Sequence, residues 1–422
     1  MTKTTGKESD IVIIGGGIIG LFCAYYLIMA GKTVTVLERD KIGSGASHGN
    51  CGLLVFSDIL PLCSPGAIRS ELIRLIKRTS PLSIGLGINI PLWKFLYGFW
   101  ASCNEKHLTH AMGVRSEMLD LSQGLFEDYF RDNNFCDWKH EGIFIICKEE
   151  YGLKHYAKTN ELLKPFGLDA KLLGKQELLE MEPAVSNNVA GGYYHSVDYH
   201  LRPDLLIDSL KDYLKKLGVE FEENCTVTGF FGAGKKITAV DTEKGKFKAD
   251  KFVLAAGAWS VLLLKHLGLS IPVEPGKGYS ITMERPSICP KVPCYMHERN
   301  VVATPFKTGY RLGGAMEFTG FNLSLNQKRL EKIKQAAKYY MKEPFGEPVI
   351  EEWTSLRPMC VDDLPIISWL PERENTVIAT GHGMMGITMS TGTGKLVADM
   401  ICEQKTEISI EPFSIKRFIS HK

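Results

Sequence analysis

Apolar positions along this chain follow two periods, and the order in which those periods alternate predicts the architecture. Asp10–Ile14 (DIVII) is an apolar run long enough for one buried strand. Leu21–Ala30 follows with small and apolar residues at helical spacing. Thr33–Leu37 (TVTVL) reads as a second strand, closed by Glu38. Beyond about residue 60 the texture changes. Aromatic-rich and leucine-rich helical patterns (Leu92–Phe99, Met112–Phe130) precede the strand-like runs Gly142–Cys147 and Gly191–His195. Pro203–Leu217 reads as an amphipathic helix, with proline in its first turn and Gly218 after its end. Strands are predicted at Val219–Glu222, Thr226–Phe231, Ile237–Thr242 and Phe252–Leu254. Further β-runs (Gly278–Met283, Val301–Thr304, Tyr310–Gly314) come with a helix near Gln327–Met341. The chain closes as strand, turn and helix: Thr376–Ala379, the glycine-rich TGHGMMG of 380–386, and Gly392–Cys402.

Strand–turn–helix units at both ends, with α+β material between them, predict an α/β plus α+β fold. Residues 1–60, 196–270 and 353–422 are expected to form a discontinuous Rossmann-like domain. Residues 61–195 and 271–352 are expected to form an interleaved, mixed-sheet substrate domain.

The glycines of the first turn sharpen this picture. Gly15-Gly16-Gly17-Ile18-Ile19-Gly20 matches G-x-G-x-x-G between a strand and a helix. Gly15 suits the tight turn, Gly17 lets the backbone approach a pyrophosphate, and Gly20 lets helix and strand pack closely. The free N–H groups of the helix start, Ile18 and Ile19 among them, and the helix dipole stabilise phosphate. Glu38 follows Gly20 by 18 residues, near the roughly 20-residue offset at which an acid accepts from a ribose. A carboxylate there favours an unphosphorylated ribose, although Arg39 stands beside it. The cofactor is therefore NAD or the adenosine half of FAD. A second glycine-rich strand–helix turn at the other end favours FAD, which needs one site for its phosphates and another for its ring.

Composition removes other classes. The 422 residues are 44% hydrophobic, enough for two or three domains, and the net charge of +2 makes nucleic acid an unlikely partner. Basic clusters at Arg69–Arg78 and Lys211–Lys216 fall within helical patterns and read as solvated faces. The eleven cysteines form no C-x-x-C pair, so no disulfide framework and no metal site is expected. The polar N-terminal segment shows no signal peptide, and a cytoplasmic protein is expected. Pro81–Trp100 is largely apolar, but its prolines, glycines and Lys94 make it a poor spanning helix. It reads either as a core-facing helix or as a peripheral contact with the inner membrane face.

Six stretches, in order, also resemble a known group: GGGIIG (15–20), HGNCG with SPGA (48–52, 64–67), GKGYSIT (276–282), RLGGAMEFTGFN (311–322), WTSLRPMCVDDLPIIS (353–368) and TGHGMMGITMSTGTGK (380–395). Together they resemble the D-amino acid oxidase superfamily of FAD enzymes, and most closely its bacterial D-amino acid dehydrogenase branch of small flavoprotein subunits. The resemblance implies FAD, an amino acid substrate oxidised at its amine carbon, and a quinone or respiratory carrier as electron acceptor. It implies flavin contacts at Gly381, His382, Gly383, Met384, Gly386 and Ile387, where backbone placement outweighs chemistry by the histidine. It also implies a second dinucleotide contact at Ala256 and Gly257, and an adenine contact at Val227. Asn50-Cys51-Gly52 replaces the more usual Asn-Ala-Gly. His48, just before it, is either a loop residue or a site of covalent flavin attachment.

Arg357, within Leu356-Arg357-Pro358, is the candidate for the substrate carboxylate, since a planar guanidinium pairs bidentately with it. Tyr279 either offers a hydroxyl to the substrate or is a core tyrosine. The resulting expectation is oxidative deamination of D-amino acids, D-proline or cis- or D-hydroxyproline included. The alternatives are a glycine or sarcosine-type oxidase using oxygen, or the catalytic subunit of a heteromeric amine dehydrogenase that presents the 81–100 segment or Cys289–Cys294 as a partner surface.

Overall fold

A computed structural model describes residues 8–66, 82–84, 90–131 and 136–419. The basic cluster at Arg69–Arg78 and part of the 81–100 segment lie outside the described residues. Two large sheets organise the rest. In the first, strand Ser9–Ile14 lies between Val34–Leu37 and Gly245–Leu254, parallel to both, and Arg373–Thr380 adds in parallel beyond. Strand Ser9–Ile14 is buried along nearly its whole length, which is why it reads as a continuous apolar run. Helices Ile18–Met29 and Ser390–Ile401 pack together on this sheet. With helix Glu105–Arg131 they build the largest core, around Leu21, Phe22, Phe126 and Leu396.

Helix Glu105–Arg131 falls in the segment assigned to the substrate domain, yet its buried face belongs to the nucleotide-binding core. The second correction concerns the boundary at 353. Val349–Cys360 is one strand, paired in antiparallel register with Val273–Met283 from Val349 to Cys360. Arg357 therefore stands on the second sheet, and the return to the first comes after Cys360.

The second sheet runs in the order Val349–Cys360, Val273–Met283, Gly309–Phe318, Val301–Phe306, Cys294–Met296, Ile143–Cys147, Gly191–His195 and Lys171–Gly174. Helix Gln327–Tyr340 covers one face through Leu330, Ile333 and Ala337, packed with Tyr279, Ile281 and Leu312. The opposite face looks toward the nucleotide-binding domain. Cys294 is fully buried in this core and Cys289 is half-buried at its edge. Helix Ile90–Ser102 buries Leu92 and Phe95 against Phe318, Met359 and Val361. Its other face leaves Ile90, Trp93, Tyr97 and Trp100 exposed by 58–69%.

Candidate active site

One continuous cavity of about 2260 Å³ lies between the two sheets. At one end is the first turn. Gly15 has φ +112°, and a Cβ there would stand 2.4 Å from the Ala255 carbonyl oxygen; a Cβ on Gly20 would stand 2.0 Å from the Gly15 carbonyl oxygen. Both positions exclude a side chain, so sheet, turn and helix close on one another. Gly17, Ile18 and Ile19 line the cavity, whereas Gly20 acts from behind it. The first turn of helix Ile18–Met29 carries no acidic residue, which leaves its positive end free for phosphate. The Ile18 N–H donates to Ser47 Oγ at 3.0 Å, a contact that no sequence signal identifies.

Glu38 accepts from the Gly16 N–H (2.8 Å) and the Asp40 N–H (3.0 Å), one on each carboxylate oxygen. It braces the turn and still lines the cavity, with lone pairs left for ribose hydroxyls. Arg39 pairs with Asp40 at 2.8 Å, and its guanidinium lies 4.6 Å over the Trp259 ring. Val227, Ala256, Gly257 and Trp259 continue the wall.

The other glycine-rich turn closes the middle of the cavity. Gly381 and Gly383 have φ of +79° and +53°. The Gly383 N–H donates to the Pro358 carbonyl at 2.9 Å, which ties this turn to the strand carrying Arg357. His382, Gly383, Met384, Gly386 and Ile387 line the cavity, and helix Ser390–Ile401 follows with no acid in its first turn. His382 shares a 2.9 Å hydrogen bond with Thr393 and is buried. Burial pushes its pKa down to about 3, so it stays neutral and positions the turn.

Residues 48–52 are pinned to the second sheet. Buried Arg311 donates to the carbonyls of His48 (3.0 Å) and Asn50 (2.7 Å) and to Thr282 Oγ1 (2.9 Å). Asn50 lines the cavity, and its side chain accepts from the Gly52 N–H at 2.7 Å. Gly52, at φ +75°, has no room for a Cβ, which would lie 2.0 Å from the Leu201 carbonyl. His48 is not on the cavity wall. Its Nε2 meets Glu351 at 2.9 Å, and that carboxylate raises its pKa. The ring is engaged by Glu351.

Sheet register decides between the two catalytic candidates. Gly276 stands opposite Arg357 and Gly278 opposite Ser355, so these four share a face. A Cβ on Gly278 would lie 2.2 Å from the Arg357 guanidinium carbon. The arginine thus lies across a floor without side chains, with Ser355 beside it and Gly313 on the next strand, all lining the cavity. Arg357 donates to the Ala315 carbonyl at 3.1 Å. Among the described residues no carboxylate lies within ion-pair distance of it, and burial depresses its pKa. A cavity-facing guanidinium without a counter-ion is a receptor for a carboxylate.

Tyr279 falls on the opposite face, one residue from Gly278. Its hydroxyl donates to Glu317, which pairs with Arg329, and its ring packs with helix Gln327–Tyr340. The hydroxyl expected to meet the substrate belongs instead to the core beneath the floor. Alternation along Gly276–Thr282 holds the signal that separates the two.

Beyond the floor the cavity passes Val302, Tyr295 and Ile145 to Tyr156 and His195, with Ser57, Asp58 and Asp198 on the facing wall. None of these acids was singled out by sequence, because no motif marks them.

The cavity fits FAD on its own features. A glycine cradle and helix start suit the pyrophosphate, a braced carboxylate suits the ribose, and a backbone-rich turn adjoins the strand that carries Arg357.

Comparison with known proteins agrees. Residues 10–400 match the family described as FAD dependent oxidoreductase (DAO). A D-amino acid dehydrogenase of Vibrio atlanticus is 30% identical over 97% of this chain and 100% of its own. One of Helicobacter pylori is 29% identical over 93% and 95%. Among solved structures, glycine oxidase from Geobacillus kaustophilus superimposes with a TM-score of 0.78 at 22% identity, covering 98% of this chain and all of its own. L-proline dehydrogenase from P. horikoshii gives 0.73 at 21%, covering 98% of each. At these identities the structures speak for the fold alone. The chain belongs to the DAO family of FAD-dependent oxidoreductases, and its cofactor is FAD.

Proposed function

We propose that this chain oxidises D-amino acids at the α-carbon and passes the electrons to a quinone-type acceptor. The observation that carries the reading is the cavity-facing Arg357, which has no counter-ion and lies over glycines between the ring turn and the second sheet. The relatives' names supply the D-configuration and the word dehydrogenase.

Bound FAD supplies the acceptor for two electrons and the α-hydrogen. The protein supplies position and field. Arg357 holds the carboxylate as a fork and so fixes the α-carbon. Gly278 leaves the room in which the Arg357 guanidinium lies against the sheet. The turn at 381–387, with the helix start behind it, would hold the flavin ring and offer N–H groups to negative charge on it. The neutral amine's α-hydrogen leaves as hydride, and loss of one proton gives the imine. Water then yields the 2-oxo acid and ammonia.

The acceptor side rests on helix Ile90–Ser102. Ile90, Trp93, Tyr97 and Trp100 form an exposed apolar and aromatic face, and Trp93 and Trp100 also line the cavity. Trp and Tyr favour the membrane–water interface. Among the described residues no helix is long and apolar enough to cross a membrane. This face supports peripheral contact that brings a lipid-soluble acceptor near the cavity.

A panel of D- and L-amino acids, glycine, sarcosine and hydroxyproline isomers tests the substrate, read by anaerobic bleaching of the flavin. Side-by-side rates of quinone-analogue reduction and peroxide release test the acceptor. Bleaching by D-amino acids with fast quinone reduction is expected. Stoichiometric peroxide, with no response to lipid vesicles, would establish an oxygen-using oxidase instead.

A further inference from the structure

The cavity that Arg357 lines also carries two carboxylates, Asp58 and Asp198, and nothing in the oxidation of a simple amino acid requires them. Phe56 and Ile59 are fully buried and anchor a turn that holds Ser57 and Asp58 at the cavity surface. The Asp58 carboxylate is 43% exposed, and it opens onto the cavity. Among the described residues the cation paired with it is Arg115, at 3.9 Å. That guanidinium is spoken for: Nη1 binds the Asp363 carboxylate at 2.8 Å and Nη2 the Asp58 main-chain carbonyl at 2.8 Å. Burial raises the Asp58 pKa, and Arg115 only partly offsets it.

Asp198 stands next to it. Its two oxygens accept from the Ser57 N–H (2.9 Å) and the Ser57 hydroxyl (2.7 Å), and among the described residues it makes no ion pair. The Tyr156 hydroxyl feels both carboxylates and is engaged by His195 at 2.6 Å. His195 is held neutral by burial and brings no charge. Lys148, Lys158, His155, His297 and Arg299 lie toward the far end of the cavity, accompanied by Glu149 and Glu298.

Asp58 is close to the chemistry. The Asp363 oxygen that does not bind Arg115 lies 3.3 Å from the Cβ position of Gly383. Asp58 is therefore one arginine away from the ring turn. Leu60, Leu96 and Phe99 line the same cavity and offer apolar surface to a methylene stem.

We propose that Asp58, seconded by Asp198, binds a cationic side chain on the substrate, so that the preferred substrates are D-amino acids with basic side chains. Arg357 takes the carboxylate, the apolar wall takes the stem, and Asp58 takes the terminal ammonium or guanidinium. This rests on the function proposed above. A carboxylate at the cavity wall that is only partly compensated gains from a cation that shares its low-dielectric surroundings.

The test compares D-lysine with D-norleucine, which has a similar stem without the charge, by anaerobic flavin reduction and by kcat/KM with a quinone analogue. Wild type should favour D-lysine by at least about tenfold, the factor given by ~1.4 kcal/mol of ion pairing. Asp58→Asn should collapse that ratio, chiefly through the KM for D-lysine, and Asp58→Glu should restore part of it. A wild-type ratio near one overturns the proposal. So does an Asp58→Asn variant in which both substrates lose activity equally, since that places the carboxylate on the shared α-amine or in the fold. Failure of every D-amino acid to bleach the flavin instead removes the underlying reading of function.

Discussion

The two ends of the cavity are built by opposite means. The dinucleotide end is local: two strands, one turn and one helix within about thirty residues carry the glycines, the free N–H groups and the bracing acid. The substrate end is assembled by sheet register and distant loops. Arg357, Gly278 and Gly313 come from three strands, and Asp58, Asp198 and Asp363 from segments far apart in sequence. The local end depends on backbone shape and the distant end on side-chain charge, so the two should fail in different ways.

The largest effect is expected at the local end. Gly20→Val forces side-chain atoms into the Gly15 carbonyl, already 2.0 Å from a mere Cβ. Overpacking of this kind costs ~3 kcal/mol, and the protein should purify colourless, with a Tm well below wild type. A yellow variant of normal Tm would show that the helix has room to move.

At the distant end, Arg357→Ala should leave FAD content and Tm near wild type. The carboxylate then loses its partner, at a cost of ~2–5 kcal/mol in kcat/KM. Arg357→Lys keeps the charge without the fork and should still raise KM strongly. Normal KM in both variants would move the carboxylate site elsewhere.

These contrasts explain what could be read in advance. Strand Asp10–Ile14, its glycines and Glu38 are legible because their spacing along the chain is their arrangement in space. Arg357 was legible only by resemblance, since Leu201-Arg202-Pro203 repeats its string, and there the arginine pairs with Asp204 at 3.0 Å. For Tyr279 two readings stood open, because a motif such as GKGYS does not say which face each residue takes. The pairing of Gly278 with Ser355 does. Arg311, Arg115 and the acids they face were invisible, because their meaning lies in contacts across tens to hundreds of residues.

Glu38→Ala sharpens the comparison from within the local end. It should weaken FAD retention by ~1.5–3 kcal/mol, the value of a hydrogen bond to a charged group. Equilibrium dialysis of released FAD measures it, and unchanged affinity would leave Glu38 as a brace for Gly16 and Asp40 alone.

The remaining contrast is a pH dependence at the distant end. Burial without a cation pushes the Asp198 carboxyl up to about 7 from its ordinary 3.8. Between those values the folded chain keeps a proton that the unfolded chain has lost. Stability therefore falls as pH rises through that window, by at most about 1.4 kcal/mol per unit. Asp198→Asn should raise Tm at pH 8 and raise it less at pH 5. An equal gain at both values would mean that Asp198 does not titrate there.

The most direct measurement of the substrate site is the anaerobic reduction of bound FAD by D-alanine beside ethylamine, which is the same amine without its carboxylate. Saturable bleaching by D-alanine is expected, with ethylamine slower by the factor that Arg357→Ala costs on D-alanine. Equal bleaching by both amines, or ethylamine slowed in step with D-alanine by Arg357→Ala, would contradict a site built on the carboxylate.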